Sequence, residues 1–558
     1  MTDSRPADVL LVGASVFDGD PTSTSRPASV AVRDGRILAV GPDAEVRAHA
    51  GPSTRVVDLT GRMLTPGFQD THVHPILAAS MDRRLNVLGE RTLAGTLEAI
   101  RAYAAAHPED EWVTGWGWNA DLFEGGLPTR AQLDAVVPDR PALIHRSDGH
   151  AAWANTLAIE AAGLDDDGSG RPVADPPGGR VERDADGRAA GVLQEWATGL
   201  VERLIPEPDV ATLRRDLVAG QAALLAVGIT AWQDASVLAA DQEAYERAEA
   251  AGELLGTVVG ALRWDHRRGM EQVAELVARR ARSHGPRFRP TSVKIMVDGV
   301  VDGSLTAAMI DPYLDVDGSV SENSGDTYFE PSHLDEVVAA LTAEGFQTHF
   351  HVIGDRAVRL ALDALERAAA AHPEMVDAEG RLTTRPILSH VQVVHPDDRA
   401  RFARVGAVVS AQPLWANCED VQTELTIPFL GDERTTWQYP FASLQRAGAV
   451  LAGGSDWPVS TPDPVQAIHV AVNRRLHGEE RPALGPDEAI TLAEGLAAYT
   501  SGAAWANGLD DVAGRIEPGL VADLAVVDRD LFAVPADEIG AARVLQTWLA
   551  GVVVHDED

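Results

Sequence analysis

The sequence predicts an α/β fold in which a parallel eight-stranded barrel is joined to a β-sandwich made from both ends of the chain. Strand-like and helix-like apolar runs alternate through residues 64–509, as they do in parallel βα folds. The end segments, 1–63 and 510–558, contain short strand-like runs, and each is too small to bury a core by itself. A segment at about 77–228 far exceeds an ordinary βα loop of about 2–6 residues, which indicates a large insertion after the first barrel strand.

The strand-like runs of the central segment number eight, as a closed βα barrel requires. In chain order they span residues 64–71, 229–234, 256–264, 292–298, 346–352, 385–390, 407–412 and 449–455. The active site of such a barrel is built at the carboxyl ends of its strands. Polar residues at those ends are therefore the first candidates for function.

The two end segments are predicted to pair with each other. Residues 30–40 alternate apolar and polar side chains around Asp34-Gly35, a preferred pair for a tight hairpin. Residues 514–528 and 544–554 are again strand-like and contain turn residues. We therefore expect one discontinuous β-sandwich packed beside the barrel. The insertion at about 77–228 is expected to cover the barrel mouth.

The composition argues against several classes of partner. The chain has 558 residues, and its 84 acidic against 47 basic residues give a formal net charge of -37. That charge argues against nucleic acid and against an anionic membrane. Cys418 is the sole cysteine, so an intramolecular disulfide is impossible and a reducing compartment is expected. The apolar runs are too short to span a bilayer and the first residues lack the apolar core of a signal peptide, so we expect a soluble, cytoplasmic protein.

The first barrel strand ends in a histidine pair. Segment 63–75 reads Met-Leu-Thr-Pro-Gly-Phe-Gln-Asp-Thr-His-Val-His-Pro, and its histidines are His72 and His74. Side chains alternate along an extended backbone, so both imidazoles would point to the same side and could bind one cation. Taken alone, the pair could equally be two hydrogen-bonded polar residues. The rest of the chain favours the metal because it supplies further ligands at other strand ends.

The sole lysine of the chain, Lys294, lies in the fourth predicted strand, while all other basic residues are arginine. A guanidinium stays protonated, whereas a buried lysine amine can lose its proton and act as a nucleophile. A neutral amine can attack carbon dioxide and form a carbamate, which is a carboxylate with a long reach. Retention by chance in an arginine-rich sequence is the alternative.

Three more candidate ligands follow the later strands. His351 closes the fifth strand, His390 closes the sixth, and Asp456 follows the eighth. His349 shares the face of His351 but lies deeper in the strand, so His351 is the predicted ligand. Each of these residues taken singly is more often structural. Their joint placement at strand ends indicates a metal site.

These residue types suit a hydrolytic site for a divalent metal, with zinc expected. Zinc-like ions bind neutral imidazole and carboxylate at about 2.0–2.2 Å, and catalytic sites keep one position open for water. We expect His72, His74 and Asp456 to hold one metal and His351 and His390 to hold a second. Carbamylated Lys294 (N6-carboxylysine) would bridge metals about 3.5–4 Å apart. Asp456 would act as general base and then as general acid toward the leaving amine.

The sequence resembles the amidohydrolase superfamily, within the branch that includes the N-substituted formamide deformylases. The matching pieces are Pro-Gly-Phe-Gln-Asp-Thr-His-Val-His at 66–74, Pro-Thr-Arg at 128–130, Asp-Gly-His at 148–150, Val-Lys-Ile at 293–295, His-Val-Ile-Gly-Asp at 351–355, Ser-His at 389–390, Gly-Ser-Asp-Trp-Pro at 454–458, Tyr-Thr at 499–500 and Glu-Pro-Gly-Leu-Val-Ala-Asp at 517–523. The resemblance implies a distorted TIM barrel with a β-sandwich, one or two divalent metals, and hydrolysis of a carbon–nitrogen bond. It places the same six residues at the metals, with Lys294 as the carbamylated bridge. A homodimer is also expected for this fold.

The insertion supplies weaker candidates for substrate contact. His145, Arg146, Asp148 and His150 form a dense polar cluster that could equally be a surface loop. Glu195 could approach the metals, although capping or salt-bridging a helix is the more common role. Trp118 is a candidate for an apolar substrate pocket together with Trp112, Trp116, Trp415 and Trp457, although tryptophan mostly serves cores and interfaces.

The sequence therefore predicts a metal-dependent hydrolase of a small-molecule amide, with N-substituted formamides as the leading substrates. A cyclic amidase or a deaminase of the same superfamily is the alternative, because specificity resides in the loops. A catalytically silent barrel scaffold is the third hypothesis. A silent scaffold is expected to have lost ligands, and the sequence retains all of them.

Overall fold

The computed structural model describes residues 5–123, 126–147, 151–166, 171–176, 179–195, 197–283, 285–302 and 304–557. The chain divides into two compact units. The first comprises Met1–Ile76 and Arg214–Asp558, and the second comprises Leu77–Leu213. Among the described residues, no helix combines the length and the apolar character needed to cross a bilayer.

The strands of the described chain are, in order, β1 (Val9–Val16), β2 (Arg26–Arg33), β3 (Arg36–Gly41), β4 (Arg55–Asp58), β5 (Met63–Pro66), β6 (Phe68–Val73), β7 (Leu85–Asn86), β8 (Val113–Trp118), β9 (Ala142–Arg146), β10 (Ala151–Ala154), β11 (Gly179–Arg183), β12 (Ala189–Glu195), β13 (Ile229–Val237), β14 (Thr257–Arg263), β15 (Phe288–Met296), β16 (Gln347–Val352), β17 (Ile387–His390), β18 (Val408–Ala411), β19 (Val450–Gly453), β20 (Leu524–Val527), β21 (Val544–Leu549) and β22 (Val552–Asp556).

The α-helices are α1 (Asp43–Val46), α2 (Pro75–Arg83), α3 (Leu93–Ala106), α4 (Arg130–Asp134), α5 (Thr156–Ala161), α6 (Gly199–Glu202), α7 (Val210–Ala226), α8 (Ala239–Ala250), α9 (Gln272–Arg282), α10 (Pro331–Ala343), α11 (Asp355–Ala371), α12 (Arg399–Val405), α13 (Asp420–Leu425), α14 (Ile427–Thr435), α15 (Phe441–Arg446), α16 (Pro464–Asn473), α17 (Leu492–Ala497) and α18 (Ala503–Ala506).

The first unit contains a parallel eight-stranded sheet with the order β6-β13-β14-β15-β16-β17-β18-β19. Helices occupy the connections between consecutive strands from β13 onward. The sheet nearly closes, because the hydroxyl of Thr71 on β6 donates to the carbonyl oxygen of Gly453 on β19 at 2.9 Å. The predicted eight-stranded α/β barrel is confirmed, and each strand overlaps one of the predicted segments. Its interior layer is filled by buried side chains from every strand, as in other barrels of this type.

The prediction of one continuous strand at 64–71 is wrong. The chain forms two strands there, β5 in the terminal sheet and β6 in the barrel, separated by Gly67. The amide of Gly67 donates to the carbonyl oxygen of Asp523 at 2.8 Å. A Cβ atom at Gly67 would lie 2.5 Å from Cγ2 of Thr230, so only glycine allows this close approach at the crossing between the two sheets.

Both ends of the chain meet in a second eight-stranded sheet, ordered β22-β21-β20-β5-β1-β2-β3, with β4 beside β1. The hairpin predicted at Asp34-Gly35 is confirmed, since both residues have positive φ angles, 50° and 73°, and Arg33 pairs with Arg36. Those angles match the tight turn whose twist fits a hairpin. Alternating side chains of β1 and β2 fill separate apolar clusters on the two faces of the sheet.

The second unit contains a sheet ordered β11-β12-β10-β9-β8-β7. Its core is built on Trp118 and Trp153, whose rings both pack edge-on against Phe123 at centroid distances of 5.6 and 5.3 Å. This unit falls within the predicted insertion at about 77–228 but ends earlier, because most of α7 belongs with the barrel. The expected domain limits, and the expectation that the insertion covers the barrel mouth, stay predictions.

Candidate metal centre

The six predicted ligands come from five strands at the carboxyl edge of the barrel. His72 lies on β6 and His74 just beyond it, Lys294 on β15, His351 on β16 and His390 at the end of β17, while Asp456 follows β19. The structure brings their side chains together. The imidazole of His72 lies 5.4 Å from that of His74 and 4.7 Å from that of His390, measured between ring centroids. The ring of His351 is 4.5 Å from that of His390.

His72, His74 and Asp456 form the tightest group. An Oδ1 of Asp456 lies 3.1 Å from Nε2 of His74 and 3.5 Å from Nε2 of His72. One ligand atom from each of the three residues lies within 4.8 Å of the other two. Asp456 has a positive φ angle of 55°, and its backbone amide donates to the carbonyl oxygen of His72 at 2.7 Å. A strained backbone held by a neighbouring strand is typical of a functional position.

Lys294 is buried among these groups, and its Nζ lies 3.1 Å from Nε2 of His72. Burial lowers the pKa of its amine to about 7, because an ammonium group loses its hydration there. Asp456 acts in the opposite direction and the charge of Arg263 acts in the same direction as burial. A substantial fraction of this lysine is therefore neutral near pH 7, which is the form that can react with carbon dioxide.

His390 is buried, and among the described residues neither of its ring nitrogens has a hydrogen-bond partner. Its Nδ1 lies 4.0 Å from Oδ2 of Asp456, which is too far for a hydrogen bond. The ring stacks on Trp415 at a centroid distance of 5.3 Å and an interplanar angle of 6°. Since buried polar atoms are rarely left unpaired, an imidazole held in place with both nitrogens free is expected to have another partner.

His351 lies beside His390, with Nε2 placed 3.0 Å from the carbonyl oxygen of Gly299. If Nε2 donates to this oxygen, Nδ1 carries the free lone pair.

The chain that follows His351 is held by Asp298, whose carboxylate accepts hydrogen bonds from the amides of Ala308, Ile353 and Gly354 at 2.9 to 3.0 Å. Burial raises the pKa of Asp298 to about 7.

The electrostatic setting keeps the imidazoles neutral. Burial lowers the pKa of His72 and His390 well below the usual value, and lowers that of His351 to about 4. Neutral imidazole is the form that binds a metal. The residues present fit a divalent metal. They offer one carboxylate, a lysine able to become neutral, and an imidazole whose two nitrogens are both unpaired within the described segments.

Asp70 is a site residue that sequence reasoning missed. Its Oδ1 accepts the amide of His72 at 2.9 Å, and the amide of Ser455 lies 3.2 Å from both of its carboxylate oxygens. It therefore ties the first strand to the loop that carries Asp456. Burial raises its pKa to about 7. The signal was present in the sequence, because Asp70 precedes His72 with the same period of two that relates His72 to His74.

The substrate candidates of the insertion belong to the second unit. Trp118 is buried, its indole N–H donates to the carbonyl oxygen of Ile144 at 2.9 Å, and the guanidinium of Arg146 lies 5.9 Å from its ring centroid. Nε2 of His145 lies 3.3 Å from a carboxylate oxygen of Glu202. Trp118 is therefore part of a core, as the alternative interpretation held.

Glu195 is exposed at the end of β12 and has a positive φ angle of 51°. Asp148 and His150 lie outside the described residues. A role of any of these insertion residues in substrate binding stays a prediction.

A parallel βα barrel with candidate metal ligands at the carboxyl edge of its strands is typical of the class of metal-dependent hydrolases. Sequence comparison identifies the family within that class: residues 55–555 match the sequence profile described as "Amidohydrolase family". The chain therefore belongs to the amidohydrolase family, which confirms the resemblance seen in its motifs. It is a hydrolase that acts on carbon–nitrogen bonds other than peptide bonds.

Individual relatives match over almost the whole chain. N-substituted formamide deformylase of Arthrobacter pascens is 30% identical, with 100% of this chain and 99% of the relative aligned. Protein LONG AFTER FAR-RED 3 of Arabidopsis thaliana is 28% identical over 98% of this chain and 91% of its own length. Among solved structures, an uncharacterized metal-dependent hydrolase from Pyrococcus furiosus superposes with a TM-score of 0.75 at 24% identity, covering 94% of this chain and 99% of that one. The last similarity establishes the shared fold.

Proposed function

We propose that this enzyme hydrolyses the amide bond of an N-substituted formamide and releases formate and an amine. The metal-dependent part of this proposal rests on the group formed by His72, His74 and Asp456. Beside it lies the imidazole of His390, whose nitrogens have no hydrogen-bond partner within the part of the chain that the structure describes. Support for the substrate comes from the relative from Arthrobacter pascens, which is an N-substituted formamide deformylase and aligns with the entire chain at 30% identity.

The proposed ligands divide into two sets. His72, His74 and Asp456 would hold one divalent metal, expected to be zinc, and His351 and His390 would hold a second. Lys294 would bridge them after its neutral amine attacks carbon dioxide, forming an N–C bond and losing one proton. A buried lysine whose pKa is about 7 has the neutral amine that this reaction needs. A bound divalent metal would lower the pKa of a water molecule and polarise the formyl carbonyl group.

Asp456 is proposed to move the proton. Its carboxylate lies 3.1 Å from Nε2 of His74, at the centre of the ligand group, and its side chain is mostly buried. It would take a proton from the attacking water and deliver that proton to the amine nitrogen as the carbon–nitrogen bond breaks. The released products are then formate and the free amine, with the second water proton retained by the acid product or lost to solvent.

The experiment that tests this proposal measures formate and amine release from a panel of N-substituted formamides. The protein is loaded with zinc in the presence of bicarbonate, and the matched acetamides serve as controls for acyl size. Formate release that disappears in the Asp456→Asn variant is the expected result. Turnover of cyclic amides or release of ammonia from an aminated ring, without formate release, would instead support the cyclic amidase or deaminase alternative. A protein that binds no metal and turns over none of these compounds would favour the silent scaffold.

A further inference from the structure

A hydrogen-bonded series of polar side chains runs through the barrel to His72, starting at the first residue of β16. Its members are Gln347 and His349 on β16, Gln233 on β13 and Ser389 on β17. None of them belongs to the proposed metal ligands. Gln233, His349 and Ser389 are completely buried, so solvent does not compete for their hydrogen bonds. The direction of each hydrogen bond follows from the main-chain carbonyl groups that face Gln347, because a carbonyl oxygen can only accept.

The side-chain amide of Gln347 is the first member of this hydrogen-bonded series. Its Nε2 lies 2.8 Å from the carbonyl oxygen of Arg385 and 2.8 Å from that of Ala506. Carbonyl oxygens only accept hydrogen bonds, so the Gln347 atom that faces them is the NH₂ group. Its Oε1 is therefore the atom that faces Gln233, and it accepts from Nε2 of Gln233 at 2.8 Å. Both amides are thereby held in one orientation.

The orientation of Gln233 determines the tautomer of His349. Oε1 of Gln233 faces Nδ1 of His349 within hydrogen-bonding distance. An amide oxygen only accepts, so the proton of His349 lies on Nδ1 and Nε2 carries a lone pair.

The lone pair of His349 in turn determines the tautomer of His72. Nε2 of His349 lies 2.7 Å from Oγ of Ser389 and 2.9 Å from Nδ1 of His72. Oγ of Ser389 lies 2.8 Å from Nδ1 of His72. Nε2 of His349 has one lone pair, so it accepts either from the hydroxyl of Ser389 or from Nδ1–H of His72. In the first case Oγ accepts from Nδ1–H of His72, so Nδ1 of His72 carries the proton in both cases. Nε2 of His72 is then left with its lone pair toward Lys294 and Asp456, at 3.1 and 3.5 Å.

We propose that His349, Gln233 and Gln347 are positioning residues that hold His72 in the Nδ1–H tautomer, so that its Nε2 always faces the metal site. The inference rests on the proposed metal centre and deepens it, because it assigns which nitrogen of His72 is the ligand and what keeps it so. Partners behind a ligating histidine fix its tautomer and ring orientation, and their loss typically weakens metal binding by about 10–100-fold. Here the positioning partner of His72 is another histidine, which is oriented by Gln233. The amide of Gln233 is held in turn by Gln347, and Gln347 is anchored to two main-chain carbonyl groups.

The test compares zinc affinities measured by competition with a chromophoric chelator, so the readout does not depend on catalysis. Gln233→Met removes the hydrogen bonds of Gln233 to Gln347 and His349 without altering a residue that contacts His72. It is expected to weaken zinc binding by about 10–100-fold. The matched control is Gln69→Met. Gln69 is also a buried glutamine and lies on the same strand as His72. Its Oε1 accepts a hydrogen bond from Nδ2 of Asn507 at 3.1 Å and takes no part in the hydrogen-bonded series that leads to His72. The control is expected to keep the wild-type affinity, and equal losses in both variants would overturn the proposal.

A second pair of variants separates positioning from packing at His349 itself. A glutamine at 349 can place its amide oxygen near the position of Nε2 and continue to accept from Ser389 and His72. An asparagine reaches only as far as Nδ1 and offers them no acceptor. His349→Gln is therefore expected to bind zinc at least about ten times more tightly than His349→Asn, within the range that loss of such a partner produces. Equal affinities would show that His349 only fills space.

The unfolding temperature of each metal-free variant is measured alongside, so that loss of fold is not taken for loss of affinity. If Gln233→Met does not fold, the His349 pair decides the question by itself. Wild-type protein that binds no zinc would overturn both the proposed metal centre and this inference. Wild-type binding that the variants leave unchanged would overturn the inference alone.

Discussion

The backbone amide of Asp456 donates to the carbonyl oxygen of His72 at 2.7 Å, while its carboxylate lies 3.5 Å from Nε2 of the same histidine. The amide of His74 returns a hydrogen bond to the carbonyl oxygen of Trp457 at 2.9 Å. These contacts join the first barrel strand to the loop after the last one, where the barrel closes. The geometry of the candidate metal site therefore depends directly on barrel closure. Asp70 reinforces this closure by accepting hydrogen bonds from the amides of His72 and Ser455.

Replacing Asp456 with asparagine should lower turnover by about 10²–10⁴-fold, because the amide cannot accept the proton from water. The change keeps the size of the side chain and the backbone hydrogen bond to His72. We expect the unfolding temperature of the metal-free protein to stay near the wild-type value. Rates of formate release and a thermal unfolding curve check both expectations, and a decrease of only a few fold would assign proton transfer to another group.

Replacing Lys294 with arginine should abolish metal-dependent turnover although the positive charge is kept. A guanidinium remains protonated and cannot form a carbamate. The methionine variant at the same position removes the charge and serves as the control for folding. Activity and metal content of the two variants are measured after loading with zinc and bicarbonate. Full activity of the arginine variant would disprove the bridging role of Lys294.

Removing the metal with a chelator should abolish activity, and adding zinc with bicarbonate should restore it. Metal content determined by mass spectrometry on the reloaded protein is expected to approach two equivalents per chain, because the five proposed non-lysine ligands would form two sets around one bridge. About one equivalent would instead indicate a mononuclear site in which Lys294 is unmodified or structural.

Replacing Gly67 with alanine should destabilise the first unit by about 1–3 kcal/mol, the usual cost of forcing extra atoms into a packed site. The new Cβ would lie 2.5 Å from both Cγ2 and Oγ1 of Thr230. Gly199→Ala is the matched control, since a Cβ there would meet no atom of the described residues within 4 Å. Thermal unfolding should show a lower transition temperature for the first variant and little change for the second. Equal transition temperatures would mean that Thr230 moves aside without cost.

Much of the fold was predictable from the sequence, because local patterns of residue type determine its strands, helices and turns. Alternation of apolar runs predicted the parallel barrel, and each of the eight predicted segments overlaps one of its strands. The Asp34-Gly35 pair predicted a hairpin because few residues tolerate two successive positive φ angles. The division of the first strand at Gly67 was not predictable in the same way. It depends on the methyl group and hydroxyl of Thr230, which are distant in the sequence.

The candidate metal site was predictable in its residue types and less so in its arrangement. Period-two spacing brought His72 and His74 to one face, and the carboxyl ends of barrel strands indicated His351, His390 and Asp456. The same rule placed His349 and His351 on one face without stating what His349 contacts. The expected homodimer and the substrate contacts of the insertion stay predictions. Contacts with a second copy or with a substrate leave no local periodicity in the sequence of one chain.

The sequence by itself determined the class of fold, the family and the chemical types of the candidate ligands, since these depend on short-range periodicity and on residues adjacent in the chain. Only the tertiary structure decided which atoms of those residues face one another. The hydrogen bond between His349 and His72 joins residues 277 positions apart, and that between Gln233 and His349 joins residues 116 positions apart. The tautomer of a ligating histidine is set by a partner on another strand, and closure of the barrel brings that partner into hydrogen-bonding distance.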